Sequence, residues 1–335
     1  MTISTPEEVN QILDHIKLFA FDMDGVIRIG SHPVEGSEKI FPLIEKLNKK
    51  SLIITNECRY TPEEIIEDLT EMGIQLSSSP PLPVLTAGQM VKKYIEDKAN
   101  RFPSENISIG IIGEQGLYDT INPITQLINV EICETPPKYK TKNFLIVGTL
   151  NKIKISNLEK TLKWVKSNAK IILTCDDVSD PSSKGDFTLG MPKHILHMTN
   201  FNLQTSPSYS CGKPNPIVAR KILAEYPDIK PEEVLLIGDT LYTDIRLAEE
   251  NNFKSLLVLS GNTKKEGIKS YVTEADIILN SIKDLLPVIK KNITNKQVYT
   301  CLVNELCNLN LFELEKFKDF STMINPDVIF EIKFP

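Results

Sequence analysis

Two aspartates at the end of a buried strand are the residues best placed to do chemistry. The apolar run KLFAF leads directly into Asp22-Met23-Asp24-Gly25, so two carboxylates stand two positions apart at the carboxyl end of a predicted strand. Ligands of open α/β sheets bind at that end. Burying both acids is unfavourable unless a cation or a substrate compensates their charge. A solvated, aspartate-rich turn is the alternative interpretation of this segment alone.

A second acidic strand end lies further along the chain. The run VLLIG continues into Asp239 and, five residues later, Asp244. Because the carboxyl ends of parallel strands meet at one edge of a sheet, these acids and the first pair can form an all-oxygen site. Mg²⁺ favours hard oxygen donors and keeps several of its waters. The sequence therefore predicts a magnesium site at this edge.

Two further segments carry groups that suit a phosphate. Thr55-Asn56 ends the predicted strand SLIIT, and Lys213 stands in the turn CGKPNP. A hydroxyl, the backbone N–H groups of a strand-to-helix turn and an ammonium are the partners that phosphate oxygens take. Each segment by itself is also an ordinary turn sequence.

Taken in order, DMDGV, TN, GKPNP and GDTLYTD resemble the four motifs of the haloacid dehalogenase (HAD) superfamily of phosphohydrolases. The chain is similar to its subclass IIA, the capped branch with p-nitrophenylphosphatases, phosphoglycolate phosphatases and pyridoxal phosphatases. The resemblance spans about 15–285. It implies an α/β fold, with a Rossmann-like parallel-sheet HAD core split by a large α/β cap domain that is inserted between the second and third motifs.

The resemblance implies the catalytic and metal-binding roles. Asp22 would attack phosphorus and become an aspartyl-phosphate, and Asp24 would serve first as acid and then as base. Mg²⁺ is the implied cofactor, held by Asp22, the backbone carbonyl of Asp24 and Asp239. Asp244 would ligate through water or orient Lys213.

The resemblance also implies how the phosphate is bound. Thr55, Asn56 and Lys213 are the expected phosphate-binding residues, Thr55 and Lys213 through their side chains. Backbone N–H groups near Met23, Gly25 and Asn56 are expected to complete the set.

The second motif departs from the branch at Glu57-Cys58-Arg59, where many members have a second Asn and a small polar residue. Glu57 beside the phosphate loop would repel the substrate. Alternatively, Glu57 points outward and pairs with Arg59 at the surface.

The predicted cap also departs from the branch, which affects substrate choice and leaves the core chemistry intact. Thr149 stands where an Asp is frequent, and Cys175-Asp176-Asp177 replaces a more usual Thr-Asn run. Asp176 and Asp177, in the loop 174–190, are predicted to receive a hydroxyl or an amine of the substrate. A solvated acidic turn is the alternative.

Continuous apolar runs, alternating with helix-like segments, indicate parallel strands buried on both faces. Ser- and Pro-rich segments at 77–83 and 204–210 interrupt this pattern. They predict a split core over 12–83 and 207–290, a cap over 84–206 and a C-terminal extension over 291–335. The seven predicted strands are 17–23, 51–56, 107–113, 144–150, 170–175, 234–239 and 255–261.

Composition excludes several classes of protein. The 335 residues carry a net charge of −6, which gives no basic footprint for nucleic acid. No apolar run is long enough to span a bilayer, and the N-terminus does not resemble a signal peptide. The six cysteines form no zinc-binding spacing, which favours reduced thiols and a cytoplasmic location.

The sequence thus predicts a Mg²⁺-dependent phosphomonoester phosphatase acting on a small phosphorylated metabolite. A silent phosphate-binding or scaffold protein is one alternative. A dehalogenase is the other, although a halide leaving group gives the acid Asp24 no task. The amphipathic stretch 303–320 either packs internally or mediates self-association as a homodimer or binding of a partner.

Overall fold

The computed structural model describes residues 2–76, 81–139, 141–177, 179–181, 187–189, 191–200, 208–265 and 273–308. The chain divides into two units, Met1–Val288 and Ile289–Pro335. The first unit contains both large sheets and all the predicted site residues.

The helices and strands follow one another with short connections. The first part of the chain contains α1 (Pro6–Leu13), β1 (Leu18–Phe21), β2 (Arg28–Ile29), β3 (His32–Pro33), α2 (Ile40–Lys46), β4 (Lys50–Thr55), α3 (Pro62–Glu71), β5 (Val84–Thr86) and α4 (Ala87–Arg101). The middle contains β6 (Ile107–Ile112), α5 (Gln115–Ile121), β7 (Val130–Ile132), β8 (Lys142–Val147), α6 (Ile155–Lys166), β9 (Lys170–Leu173), β10 (Ser179–Pro181), β11 (Phe187–Leu189), α7 (Met191–Asn200) and β12 (Tyr209–Ser210). The last part contains α8 (Pro216–Glu225), β13 (Val234–Gly238), α9 (Arg246–Glu250), β14 (Lys254–Val258), β15 (Ile277–Leu279) and α10 (Leu286–Asn308).

A six-stranded parallel sheet carries the first, second and fourth predicted motifs. Its order is β15-β14-β13-β1-β4-β5. The central strand β1 is buried along its whole length, with β13 on one side and β4 on the other. Strands covered on both faces read as continuous apolar runs, which is why the sequence revealed them.

A second parallel sheet is built from the middle of the chain. Its five strands run in the order β12-β9-β8-β6-β7. The indole of Trp164, on α6, is fully buried against this sheet, and a Cβ at Gly110 of β6 would come within 2.4 Å of its ring. The prediction of an α/β fold built on parallel sheets is confirmed.

Local signals explain where helix α3 begins and ends. Thr61 caps its first turn, Pro62 opens it, and the Glu64 carboxylate returns to the Thr61 backbone N–H at 2.7 Å. Gly73, at φ +82°, follows the last turn. The helix therefore starts directly after the second-motif loop and runs along the site.

The strand pairings bear on the predicted division into core and cap. Val84–Thr86 pairs with β4 in the first sheet, and Tyr209–Ser210 pairs with β9 in the second. We therefore propose the same division with both boundaries a few residues later than the sequence indicated.

The C-terminal extension is described only as far as residue 308. Its helix, α10, covers 303–308, but residues 309–335 lie outside the described residues. The side chains that would show whether the stretch 303–320 has an apolar face are therefore not described, and its role stays a prediction. Among the described helices, none combines the length and apolar character needed to cross a bilayer.

Candidate active site

Three neighbouring strand ends bring the predicted motifs together. Phe21 of β1 aligns with Ile237 of β13 and with Ile53 of β4. The N–H of the next residue, Asp22, donates to the carbonyl of Ile237 at 2.8 Å. The first, second and fourth motifs therefore open onto the same edge of the sheet, as the resemblance implies.

Three carboxylates and one ammonium form the centre of this edge. Oxygens of Asp22, Asp239 and Asp244 lie within 4.8 Å of one another, and all three residues are buried. The Lys213 ammonium lies 2.6 Å from Asp22 Oδ1 and 2.7 Å from Asp244 Oδ1. Three carboxylates face one ammonium, so the cluster is two positive charges short of balance when all three acids are ionised.

This imbalance shifts the pKa values of the cluster. Burial, followed by the neighbouring charge of Asp244, raises the pKa of Asp22 well above its ordinary value and that of Asp239 to about 7. Burial alone would lower the pKa of Lys213, but Asp22 and Asp244 raise it. The Lys213 ammonium therefore stays charged, whereas the carboxyl groups of Asp22 and Asp239 resist ionisation.

The Asp239 carboxylate is held at both oxygens. Thr240 Oγ1 donates to Oδ1 at 2.7 Å, and the Asn262 backbone N–H donates to Oδ2 at 2.6 Å. The Thr240 N–H also donates to Asp244 Oδ2 at 3.1 Å. These contacts fix two acids of the cluster relative to each other.

The donor set fits a hard divalent cation. Every candidate ligand atom is an oxygen, and the three carboxyl groups outnumber the one ammonium. In addition, Asn262 Oδ1 is buried beside Asp239 and has no hydrogen-bond partner among the described residues. A cation with bound water would satisfy both the charge and this orphaned acceptor.

Two side chains of the second motif lie next to this cluster. Thr55 Oγ1 accepts the Glu57 N–H at 3.0 Å, which leaves its own hydroxyl hydrogen for a phosphate oxygen. The side chain of Asn56 accepts the Lys213 N–H at 2.8 Å and donates to Asp177 Oδ2 at 2.8 Å. The Asn56 side chain therefore holds the backbone of Lys213 in position. Its amide group is used in these contacts rather than offered to a phosphate oxygen.

Two backbone N–H groups expected at the phosphate are engaged elsewhere. Met23 N–H donates to Asp22 Oδ1 at 2.7 Å, and Gly25 N–H donates to the Arg28 carbonyl at 2.7 Å. The turn after β1 closes on itself through the Gly25 bond, so this N–H is already engaged within the turn. Gly25 is needed there for another reason, since its φ is +85° and a Cβ would lie 2.3 Å from Asp239 Oδ2.

Glu57 is paired with Arg59, but not at the surface. The Arg59 Nε lies 3.0 Å from each carboxylate oxygen, and Nη2 lies 2.5 Å from Oε2. The Glu57 side chain is only 3% exposed. Burial would raise the pKa of Glu57, but the Arg59 hydrogen bonds keep it below its ordinary value. The expected surface location was wrong, and the charge beside the phosphate loop is neutralised.

One functional contact was missed by the sequence reasoning. Arg28, from the short hairpin β2–β3, donates from Nε to Asp24 Oδ1 at 3.0 Å, and its Nη1 bonds to Asp68 of α3. Burial raises the pKa of Asp24, and Arg28 opposes this rise. No motif marks Arg28, although an arginine four residues after an aspartate could have suggested the pair.

These groups line a cavity of about 650 Å³, a size suited to a small ligand. Its wall includes Asp22, Asp24, Thr55, Asn56, Lys213 and Asp239. From the middle of the chain it includes Thr149 and Asp177, whereas Asp176 does not line it. Burial raises the pKa of Asp177. Asp244 lies behind the cavity wall, where it contacts Lys213.

Two family models match the chain. The model described as haloacid dehalogenase-like hydrolase matches residues 19–123, and the HAD-hydrolase-like model matches 210–285. The chain belongs to the haloacid dehalogenase-like hydrolases. Within this family it is a subclass IIA phosphatase, a phosphoric monoester hydrolase, as the order of its motifs predicted.

Several curated relatives and solved structures align with this HAD hydrolase along most of its chain. An acid sugar phosphatase from Staphylococcus saprophyticus is 24% identical over 83% of this chain and 99% of its own length. Sugar-phosphatase AraL from Bacillus subtilis is 25% identical over 81% and 93%. The 4-nitrophenylphosphatase structure from Thermotoga maritima is 24% identical, with a TM-score of 0.70 over 82% of this chain and 97% of that one.

One solved neighbour contains the expected metal. A glycerol phosphate phosphatase from Mycobacterium tuberculosis, in complex with magnesium, is 18% identical, with a TM-score of 0.67 over 82% of this chain and 77% of that one. At this identity the likeness shows the fold, and the expected residue roles rest on the geometry above.

Proposed function

We propose that this HAD hydrolase is a Mg²⁺-dependent phosphatase that cleaves a small phosphorylated metabolite through an aspartyl-phosphate on Asp22. The observation that carries the proposal is the placement of Lys213, within 2.7 Å of both Asp22 and Asp244 at the edge of the cavity that Asp24 also lines. A nucleophile, a cation that matches phosphate and a second carboxyl thus share one cavity.

The first half of the reaction transfers the phosphoryl group to the protein. An Asp22 carboxylate oxygen attacks phosphorus in line with the ester oxygen, and the bond from phosphorus to that oxygen breaks. Asp24, protonated, gives its proton to the departing oxygen. In the second half, Asp24 takes a proton from water and the water oxygen attacks phosphorus. The bond from phosphorus to the Asp22 oxygen breaks, inorganic phosphate leaves, and the Asp22 carboxylate is regenerated.

The remaining residues hold the phosphoryl group and the cofactor. The Thr55 hydroxyl and the Lys213 ammonium are proposed to bind its oxygens, with Asn56 holding Lys213 in place. Asp22, Asp239 and the Asp24 carbonyl would hold Mg²⁺, and Asp244 would orient Lys213. When bound, Mg²⁺ supplies positive charge that offsets the clustered carboxylates and the phosphate.

The substrate class is proposed from the relatives and from the cavity. Similar proteins are named as acid sugar phosphatase, sugar-phosphatase and dihydroxyacetone phosphatase. We propose that the substrate is a sugar or polyol phosphate, similar in size to the substrates in these names. Asp177 would accept a hydroxyl hydrogen of the leaving group. Asp176 does not line the cavity and is therefore a weaker candidate.

The Glu57–Arg59 pair argues against the silent-scaffold alternative. Its neutral charge removes the repulsion that a lone Glu57 would have imposed on a phosphate. The dehalogenase alternative gains no support, because the cavity retains an acid, Asp24, that a halide does not need. The cytoplasmic location and a homodimer stay predictions.

Turnover of p-nitrophenyl phosphate tests the proposal. Release of p-nitrophenol should require Mg²⁺, should stop in EDTA and should be lost in Asp22→Asn, which keeps the shape of the side chain but not its charge. Asp97→Asn, which removes an exposed carboxylate from an ion pair on α4, is the matched control. Equal turnover by wild type and Asp22→Asn would refute the proposed mechanism.

A further inference from the structure

We propose that Arg28 is a positioning residue that aims the Asp24 carboxyl at the leaving oxygen of the substrate. This inference rests on the proposed role of Asp24 as the acid and base of a phosphatase. Arg28 lies outside the four motifs, and the resemblance gives it no role.

Arg28 is built into the site as a buried bridge. Its side chain is 8% exposed, and it joins Asp24 of the first motif to Asp68 on α3. Its backbone closes the same turn, since Arg28 N–H donates to the Met23 carbonyl at 3.1 Å and the Arg28 carbonyl accepts from Gly25. The main chain of Arg28 thus fixes the turn after β1, and its side chain fixes the Asp24 carboxyl in that turn.

The bridge divides the two oxygens of Asp24 between two tasks. Oδ1 accepts the Arg28 Nε–H at 3.0 Å. Among the residues that the structure describes, Oδ2 has no hydrogen-bond donor, and the Asp24 side chain keeps 33% of its surface exposed towards the cavity. A proton on Asp24 therefore belongs on Oδ2, the oxygen that faces the substrate.

Asp68 explains why the arrangement is stable as a unit. A buried guanidinium needs more than one partner, and Asp68 accepts from Nη1 at the far end of Arg28. Because Asp68 lies on α3, the orientation of Asp24 depends on a helix that borders the cavity. Without the bridge, the Asp24 carboxyl could rotate away from the leaving oxygen, and such misplacement costs about 10²-fold in rate.

The test compares two aryl phosphates that differ in how much they need an acid. The p-nitrophenolate ion leaves readily without a proton, whereas phenolate is more basic and gains more from protonation. The measured quantity is the ratio of kcat/KM for p-nitrophenyl phosphate to kcat/KM for phenyl phosphate. This parameter reports the steps up to departure of the leaving group, so slow hydrolysis of the aspartyl-phosphate does not mask it.

Substitutions at one position separate positioning from folding. Arg28→Met removes the donor, and we expect the ratio to rise at least about 10-fold. Arg28→Gln places an amide nitrogen where Nε stood, so it should stay close to the wild-type ratio despite losing the charge. Arg28→Lys keeps the charge without a donor at that place, so it should raise the ratio, and it decides the question if Arg28→Met does not fold. Lys93→Met, which removes an exposed cation from an ion pair on α4, is the matched control.

The outcomes distinguish this inference from the proposed function. An equal loss of kcat/KM on both substrates in Arg28→Met, or no rescue in Arg28→Gln, would overturn the positioning role while phosphatase activity stands. A wild-type protein that hydrolyses neither substrate would overturn the proposed function, and the inference would fall with it.

Discussion

Removing the Asp239 carboxylate should stabilise the protein in the absence of metal. Asp239 is 1% exposed, and burial together with Asp244 raises its pKa from the ordinary 3.8 to about 7. A rise of that size means that the ionised Asp239 carboxylate destabilises the folded protein by roughly 4 kcal/mol at a pH above 7. Asp239→Asn loses part of the hydrogen bonding to Thr240 and Asn262, which costs about 1 kcal/mol. The net gain expected for the variant is about 3 kcal/mol.

The sign of the pH dependence follows from the direction of the pKa shift. The folded protein binds the Asp239 proton more tightly than the unfolded chain, so the wild-type free energy of unfolding falls as the pH rises from about 4 to about 7. The advantage of Asp239→Asn should therefore be full at about pH 8 and nearly absent at about pH 4.

Thermal unfolding in EDTA and in Mg²⁺ measures both effects. In EDTA at about pH 8, the melting temperature of Asp239→Asn should exceed that of wild type by about 5 °C or more. Mg²⁺ at about 100 times its dissociation constant should add about 2.7 kcal/mol to wild type only. Asp97→Asn is the control for loss of an exposed aspartate. A variant less stable than wild type in EDTA, or an advantage independent of pH, would refute this reasoning.

Three further substitutions test other parts of the site. Lys213→Met should lower turnover about 10²- to 10³-fold, measured by steady-state kinetics. It should also lower the free energy of unfolding by about 3–5 kcal/mol, measured by urea titration. Near-native values of both quantities would contradict the bridging role of Lys213. Glu57→Ala should cost about 3 kcal/mol in the same titration, because it leaves Arg59 half-buried without its carboxylate, yet the Mg²⁺ requirement should persist. Gly25→Ala should weaken Mg²⁺ binding by at least about 10-fold in a thermal titration, because its Cβ would displace the Asp239 carboxylate; unchanged affinity would rule out that displacement.

The sequence identified the strands that are covered on both faces and missed the shortest ones. All seven predicted strands are present. They could be recognised in the sequence because each is a continuous apolar run between helices. Strands β5, β7, β12 and β15 have two or three residues each, too few for a pattern to register. Two of them, β5 and β12, pair at the edges of the two sheets, and the boundaries that we propose for the cap are taken from these pairings.

The acids of the site were predictable because strand ends concentrate them. Asp22 and Asp239 follow their strands directly, and topology alone brings those ends together. The contacts that orient these acids were not predictable in the same way. Arg28 and Asn262 reach the site from a hairpin and a loop, where position depends on turn geometry rather than on periodicity.

Burial, rather than residue type, decided the case of Glu57. A charged residue in a turn is normally solvated, and the expectation of a surface ion pair followed from that rule. The structure instead gives its carboxylate the backbone N–H groups of Cys58 and Arg59 as well as the guanidinium. These donors come from the two residues that follow Glu57, so the turn folds around the charge.

Trapping of the phosphorylated protein tests the central claim most directly. The protein is mixed with p-nitrophenyl phosphate and Mg²⁺, quenched in acid during turnover and treated with borohydride, which reduces an acyl phosphate to an alcohol. Peptide mass spectrometry should then find homoserine at position 22 in place of Asp22, and no such change in Asp24 or in a sample without substrate. Steady turnover with no reduced product at Asp22, or with the modification on another aspartate, would contradict the account.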